Sequence, residues 1–192
     1  TTTEATLALT DPERWVDEYG DYLYRYAMTR LKNPDVAEDI VQETFMAALK
    51  ARERFAGQST ERTWLTGILK HKIIDRMRVQ YREISATDLE RDDEDGEGDP
   101  FFDRFDHWKQ GVGNWNTDPA EMLERAEFWG VLDECVRKIP ERMGQAFSLR
   151  VLDDLSTEEV CKILNVTTTN LNVILHRARL RLRQCLEINW FA

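Results

Sequence analysis

Between Leu155 and Glu187 the sequence reads LSTEEVCKILNVTTTNLNVILHRARLRLRQCLE, and it brings His176, Arg177, Arg179, Arg181 and Arg183 together within eight residues. Cations this dense on one helix neutralise phosphate and reach base edges when that helix enters a DNA major groove. On this stretch alone an ordinary helical hairpin with a solvated basic face has equal weight. Bond-making chemistry finds no comparable support. No Ser-His-Asp arrangement, Gly-rich phosphate loop or metal-ligand cluster is present, so neither an enzyme nor a metal or cofactor is expected. His107 lies among acidic residues at irregular spacing, which is weak ground for a metal site. Cys135, Cys161 and Cys185 form no C-x-x-C pair and lie at no zinc-finger spacing. Their odd number and helical surroundings predict reduced, packed thiols in a cytosolic protein.

The elements that must carry the basic stretch are two helices and a break. Ser156 and Glu159 form an S-x-x-E capping box, which starts one helix. Val160, Ile163 and Leu164 give it an apolar face. Asn165 to Thr167 interrupt it, and Thr167 or Thr168 caps a second helix with Leu171, Ile174, Leu175, Ala178 and Leu182 inward. The first eighty residues are helical throughout. Asp11 caps a start at Pro12, and Trp15, Tyr19, Tyr22, Leu23, Tyr26 and Ala27 follow at helical spacing. Asn33 and Pro34 break the chain. A second helix then turns Val36, Ile40, Val41, Phe45 and Leu49 inward. After the turn FAGQS (55–59), a third places Trp64, Leu65, Ile68, Leu69, Ile73 and Met77 inward. DPAE (118–121) opens another helix ending near Ile139 and Pro140, and a short helix over 142–152 leads into the capping box. No strand alternation and no repeat appears.

The net charge of −10 looks wrong for a DNA-binding chain, but its distribution resolves the conflict. Residues 83–126 carry 4 Lys+Arg against 14 Asp+Glu, while residues 1–82 and 127–192 are each balanced. The outer blocks can therefore present local basic faces. The acidic segment, with Gly and Pro in ERDDEDGEGDP (90–100), reads as disordered or extended. Phe101, Phe102, Phe105, Trp108 and Trp115 make it a linker with docking points, or a loop covering its neighbours. No apolar run reaches membrane-span length, and no signal-peptide pattern opens the chain. Its opening Thr1 is read as following an initiator Met that is either removed or not included in the sequence.

Two helical blocks joined by an acidic linker resemble the extracytoplasmic-function sigma factors of bacterial RNA polymerase, through three stretches: AEDIVQETFMAAL (37–49), FAGQSTERTWLTGILKHKIIDRMR (55–78) and the helix-turn-helix with its HRAR (176–179). The resemblance implies an all-α chain of two small domains, a region 2 bundle over 1–82 and a region 4 helix-turn-helix over 118–192, with the linker at 83–117. The first stretch is similar to the helix that docks on the β′ clamp helices. Asp39, Gln42 and Glu43 would meet a basic partner there, with Ile40, Val41 and Phe45 adding apolar contact. The second is similar to the region that opens and reads the minus-ten element. Phe55, Gly57, Gln58 and Ser59 would rim a pocket for an extruded base, and Lys70, His71, Lys72, Arg76, Arg78 and Arg82 would meet the strand. Trp64 would anchor the helix in the core. The third is similar to region 4, which reads the minus-thirty-five duplex and binds the β flap. Base contacts would fall on Thr168, Thr169, Asn170 and Asn172, with His176, Arg177 and Arg179 at phosphates or groove edges.

Two departures from the family bear on specificity: His71 stands where Asn is usual, and Asn172 and Ile174 stand where basic residues are common. The family also implies a bacterial cytoplasmic location, polymerase core and promoter DNA as partners, and an anti-sigma factor covering the face around Asp39 to Phe45. The acidic run Asp92 to Asp99 would lie on the path of nascent RNA. The alternatives are a sigma mimic that titrates an anti-sigma factor and a stand-alone helix-turn-helix regulator.

Overall fold

The computed structural model describes residues 9–83 and 125–191. The acidic run, the linker aromatics, His107 and the DPAE start lie outside them. The chain divides into two compact units, Thr1–Val79 and Gln80–Ala192. Among the described residues every regular element is helical.

The first unit is built on α1 (Trp15–Leu31), α2 (Pro34–Ala51) and α3 (Glu61–Glu83), the last of which runs past the division between the units. Asp11 accepts from the Glu13 N–H and starts a single 3-10 turn, Pro12–Arg14, that runs straight into α1. Lys32 ends α1 in the left-handed region, at φ 53°. Asn33 then caps α2 by accepting from the Val36 N–H, with Pro34 in the first turn, where a missing N–H costs nothing. The α1–α2 pair closes over Leu23, Ala27, Ala37 and Ala48, and α3 contributes Leu65, Leu69, Ile73 and Met77. Leu49, expected inward, is instead 43 % exposed: at the end of α2 the helical rotation carries it to the outer face.

The second unit holds α4 (Ala126–Lys138), α5 (Glu141–Phe147), α6 (Thr157–Leu164) and α7 (Thr168–Asn189). The short helix expected over 142–152 is α5 followed by a widened π turn, Ser148–Leu152. α7 is the shared partner of the other three helices. It buries Leu171, Ile174, Leu175, Ala178, Leu182 and Leu186 among them. Both halves of the capping box form: Ser156 accepts from the Glu159 N–H, and the Glu159 carboxylate accepts from the Ser156 N–H at 2.9 Å. Asn165 breaks the chain at φ 52°, and Thr167 caps α7 by accepting from the Asn170 N–H.

The expectation of reduced thiols fails for two of the three cysteines. Cys135 on α4 and Cys185 on α7 form a disulfide across a separation of 50 residues. Only Cys161 is free. The sequence pairing was hidden because Cys135, buried, and Cys185, half-buried, each read equally well as apolar packing on a helix.

Candidate functional site

Three exposed faces carry the side chains singled out in the sequence. On α2, a rotation of ~100° per residue puts Asp39, Gln42, Glu43 and Met46 on one side of the helix. All four are exposed, Met46 by 56 %. Ile40 and Val41 point the other way and are buried, Ile40 with 7 % of its surface remaining. Their expected role as apolar contacts for a partner is therefore corrected: they hold α2 to its own unit. Met46 and Leu49 are the apolar groups that this face offers, with Phe45 half-buried at its edge. Seven-residue spacing from Asp39 to Met46 is the signal that identifies Met46.

The second face lies where the loop after α2 enters α3. A 3-10 turn, Arg52–Arg54, delivers the chain to Phe55, and Gly57 turns it at φ 67°, a conformation open to glycine at no steric cost. Phe55 does not stand free at a rim. Its ring packs on Trp64 at 5.1 Å, and Trp64 meets Trp15 edge-on at 6.0 Å. Trp64 is thus the expected anchor, half-buried, with the Phe55 ring tilted against it. Gln58 is exposed and Ser59 half-exposed above this aromatic base. Thr60 caps α3 by accepting from the Thr63 N–H at 3.2 Å.

The cations of α3 do not share one stripe. His71 and Arg78 fall on one exposed side, where Arg78 pairs with Asp75 at 3.2 Å. Lys72 and Arg76 fall on another, and Lys72 reaches Glu43 of α2 at 2.8 Å. Lys70 lies nearer the core, its Nζ 6.0 Å from the Tyr26 ring centre. The Lys72–Glu43 pair joins the α2 face to the α3 face, a link the sequence did not signal, since its members are 29 residues apart.

A buried carboxylate lies directly beneath this loop, and sequence reading passed over it. Glu61, the first residue of α3, is 8 % exposed. It accepts from the Thr10 N–H at 2.9 Å, the Thr10 hydroxyl at 2.8 Å, the Trp15 indole N–H at 2.7 Å and the Tyr19 hydroxyl at 2.9 Å. Burial works to raise its pKa, but the hydrogen bonds from Thr10, Tyr19 and Trp15 outweigh it, and the carboxyl is held below its ordinary value. Tyr19 moves in the opposite sense. Burial first, then the Glu61 hydrogen bond and charge, push its phenol up to about 12.

The third face is on α7. Thr168, Thr169, Asn172, His176 and Arg179 are exposed and lie on one side of the helix, starting at its N-terminal turn. Asn170 and Arg177 are only partly exposed and lie on a different side, so the expected reading set divides into two edges. Val173, 42 % exposed between those edges, is an apolar side chain not anticipated there. Behind them Leu171, Ile174 and Leu175 hold the helix down on the unit's core.

A helix-turn-helix with this outer face, and a three-helix unit carrying an aromatic-based loop, have counterparts in known proteins. Sigma-70 region 2 matches residues 15–83, and Sigma-70, region 4 matches residues 129–182. A probable RNA polymerase sigma factor of Haemophilus influenzae is 35 % identical over 163 residues, covering 84 % of this chain and 82 % of that protein. The chain belongs to the extracytoplasmic-function (ECF) sigma factors. RNA polymerase sigma factor YlaC of Bacillus subtilis is 28 % identical, covering 87 % of each chain. ECF RNA polymerase sigma factor SigM of the same organism is 27 % identical, covering 86 % of this chain and 88 % of its own. Proteins of this family are transcription-initiation factors. Within the ECF frame, the region 2 match takes in α1, α2, the 55–60 loop and α3, while the region 4 match ends inside α7, just beyond Arg179.

Proposed function

We propose that this sigma factor joins RNA polymerase core through the outer face of α2, holds the opened minus-ten strand on the 55–59 loop and α3, and reads the minus-thirty-five duplex with α7. The observation that carries the reading is the face of Thr169, Asn172, His176 and Arg179. Four exposed polar and basic groups aligned over the first three turns of a helix-turn-helix's second helix suit base edges and flanking phosphates. Asn172 matches the bidentate geometry of adenine, and Val173 suits a thymine methyl. On α2, Asp39, Gln42 and Glu43 beside Met46 suit a basic partner helix with an apolar seam, the geometry expected for the β′ clamp. An anti-sigma factor would cover the same face.

The location that follows is the bacterial cytoplasm, where polymerase works; no described helix is long and apolar enough to cross a membrane. We assign the chain no catalytic step of its own. For Asp92 to Asp99, six carboxylates within eight residues, the role proposed is competition with nascent RNA for a basic exit path.

Run-off transcription with core polymerase on a fragmented bacterial genomic library tests the whole reading. Discrete starts sharing a two-part upstream sequence are the expected result. Core binding without transcription would replace it with a sigma mimic, and DNA binding indifferent to core would replace it with a stand-alone regulator.

A further inference from the structure

Both ends of the 55–60 loop are tied to one pair of indoles. Phe55, at its entry, packs tilted against Trp64, which meets the Trp15 ring. Glu61, at its exit, accepts from the N–H of the same Trp15. The remaining carboxylate positions are filled by Thr10 and Tyr19, so that each oxygen receives two donors. These donors lie 42 to 51 residues earlier in the chain. The contact is therefore a tertiary lock, not a local turn.

A carboxylate is a costly choice here if packing alone were needed. A buried charge is strongly disfavoured unless its lone pairs are filled. Filled in this way it is directional, because four donors of fixed origin define one position for both the group and the backbone that carries it. It also sits in the first turn of α3, where negative charge is favoured by the helix dipole. Burial hides that charge from a nucleic-acid strand crossing the loop, which an exposed Glu at the same site would repel.

We infer that Glu61 is the positioning residue of the minus-ten loop: it clamps the segment before α1 onto the start of α3 and thereby sets the geometry of Gly57, Gln58 and Ser59. The inference rests on the minus-ten reading of that loop, and its test separates the two. The comparison uses the full chain bound to core polymerase, as wild type, Glu61→Leu and Glu61→Gln. Leu fills the space but accepts nothing. Gln keeps an acceptor for the Thr10 and Trp15 N–H groups, while the two hydroxyls can turn to accept from its amide. Two quantities are read: hydrogen exchange of the 56–60 amides, and affinity for a single-stranded oligonucleotide carrying the minus-ten sequence obtained from run-off mapping.

Glu61→Leu is expected to speed exchange in the loop, leave core affinity unchanged and weaken strand binding about tenfold, the equivalent of one or two lost hydrogen bonds. Glu61→Gln restores most of both. Wild-type loop exchange in a folded, core-bound Glu61→Leu chain overturns the lock itself. Faster exchange with unchanged strand affinity overturns the minus-ten reading of the loop, and the role of Glu61 with it. If Glu61→Leu does not fold, Tyr19→Phe takes its place, removing one donor of four. A smaller rise in loop exchange then supports the lock, and none overturns it.

Discussion

Glu43 and Lys72 meet at 2.8 Å, yet the proposed function gives them two different tasks, one towards polymerase and the other towards DNA. The pair is too exposed to stabilise the unit by more than ~1 kcal/mol, so either partner can release it cheaply. The neighbouring side chains divide more sharply. Met46→Asp is expected to weaken core binding by about 1–3 kcal/mol in a titration with core polymerase, with an unchanged melting temperature. Ile40→Ala should do the reverse, lowering stability by about 2–5 kcal/mol while sparing core affinity in the folded fraction. A Met46→Asp chain with wild-type core affinity would remove the α2 face from the docking surface. Glu61 and Tyr19 add a signature in pH. The Glu61 pKa is depressed, so its contribution is present above the ordinary carboxyl value of 4.5 and is lost as pH falls through the lower folded value. Tyr19 is raised from 10.0 to about 12, so its contribution is complete below the first value and lost as pH climbs through the second. Denaturant titrations of the full chain should show both limbs, and Tyr19→Phe should erase the alkaline one.

Ser156 and Glu159 hold the first turn of α6, and the turn from α6 to α7 sets the angle at which α7 leaves α6. Ser156→Ala is expected to cost about 0.5–2 kcal/mol and to lower the thermal midpoint of the second unit. The Cys135–Cys185 bond ties α4 to α7 from the opposite end. Reducing it, or making Cys185→Ser, should destabilise that unit by about 2–4 kcal/mol, seen as a fall in its thermal midpoint, and reductant should lower the variant's midpoint no further. At this scale the sequence was most legible where a cap or break dictates one local geometry. The capping box and the Thr167 cap stand where their residues put them, and the break at Asn33 and Pro34 is itself the cap and first residue of α2. It was least legible where geometry depends on contacts far along the chain. Apolar spacing placed Ile40 and Val41 inward, where they are buried, but the same residues were also expected to meet a partner, and Met46, exposed on the outer face, was passed over. Glu61 looked like one more charged residue, since its four donors come from a segment more than forty residues earlier. The disulfide was hidden for the same reason.

Across the whole molecule, the distribution of charge predicts weak DNA binding by the free chain. The net charge is −10, and residues 83–126 hold that excess, while the outer blocks are balanced. Non-specific DNA affinity is dominated by phosphate neutralisation and falls steeply with salt, so a polyanionic segment on the same chain opposes it at long range. Core polymerase relieves that opposition if the acidic run is drawn into a basic channel. Replacing the six carboxylates of Asp92 to Asp99 with Asn and Gln takes the net charge to −4. The free variant should then bind promoter duplex more tightly than wild type at low salt. The gap should close as ionic strength rises past ~0.15 M, where the Debye length falls to about 8 Å. In the core-bound state the order should reverse for initiation, with a changed ratio of abortive to full-length transcripts. Equal duplex affinity for the two free chains at low salt would mean that the outer blocks themselves lack a usable basic face. Any weak binding of both free chains would then be explained by the faces of α3 and α7 and not by the charge between them.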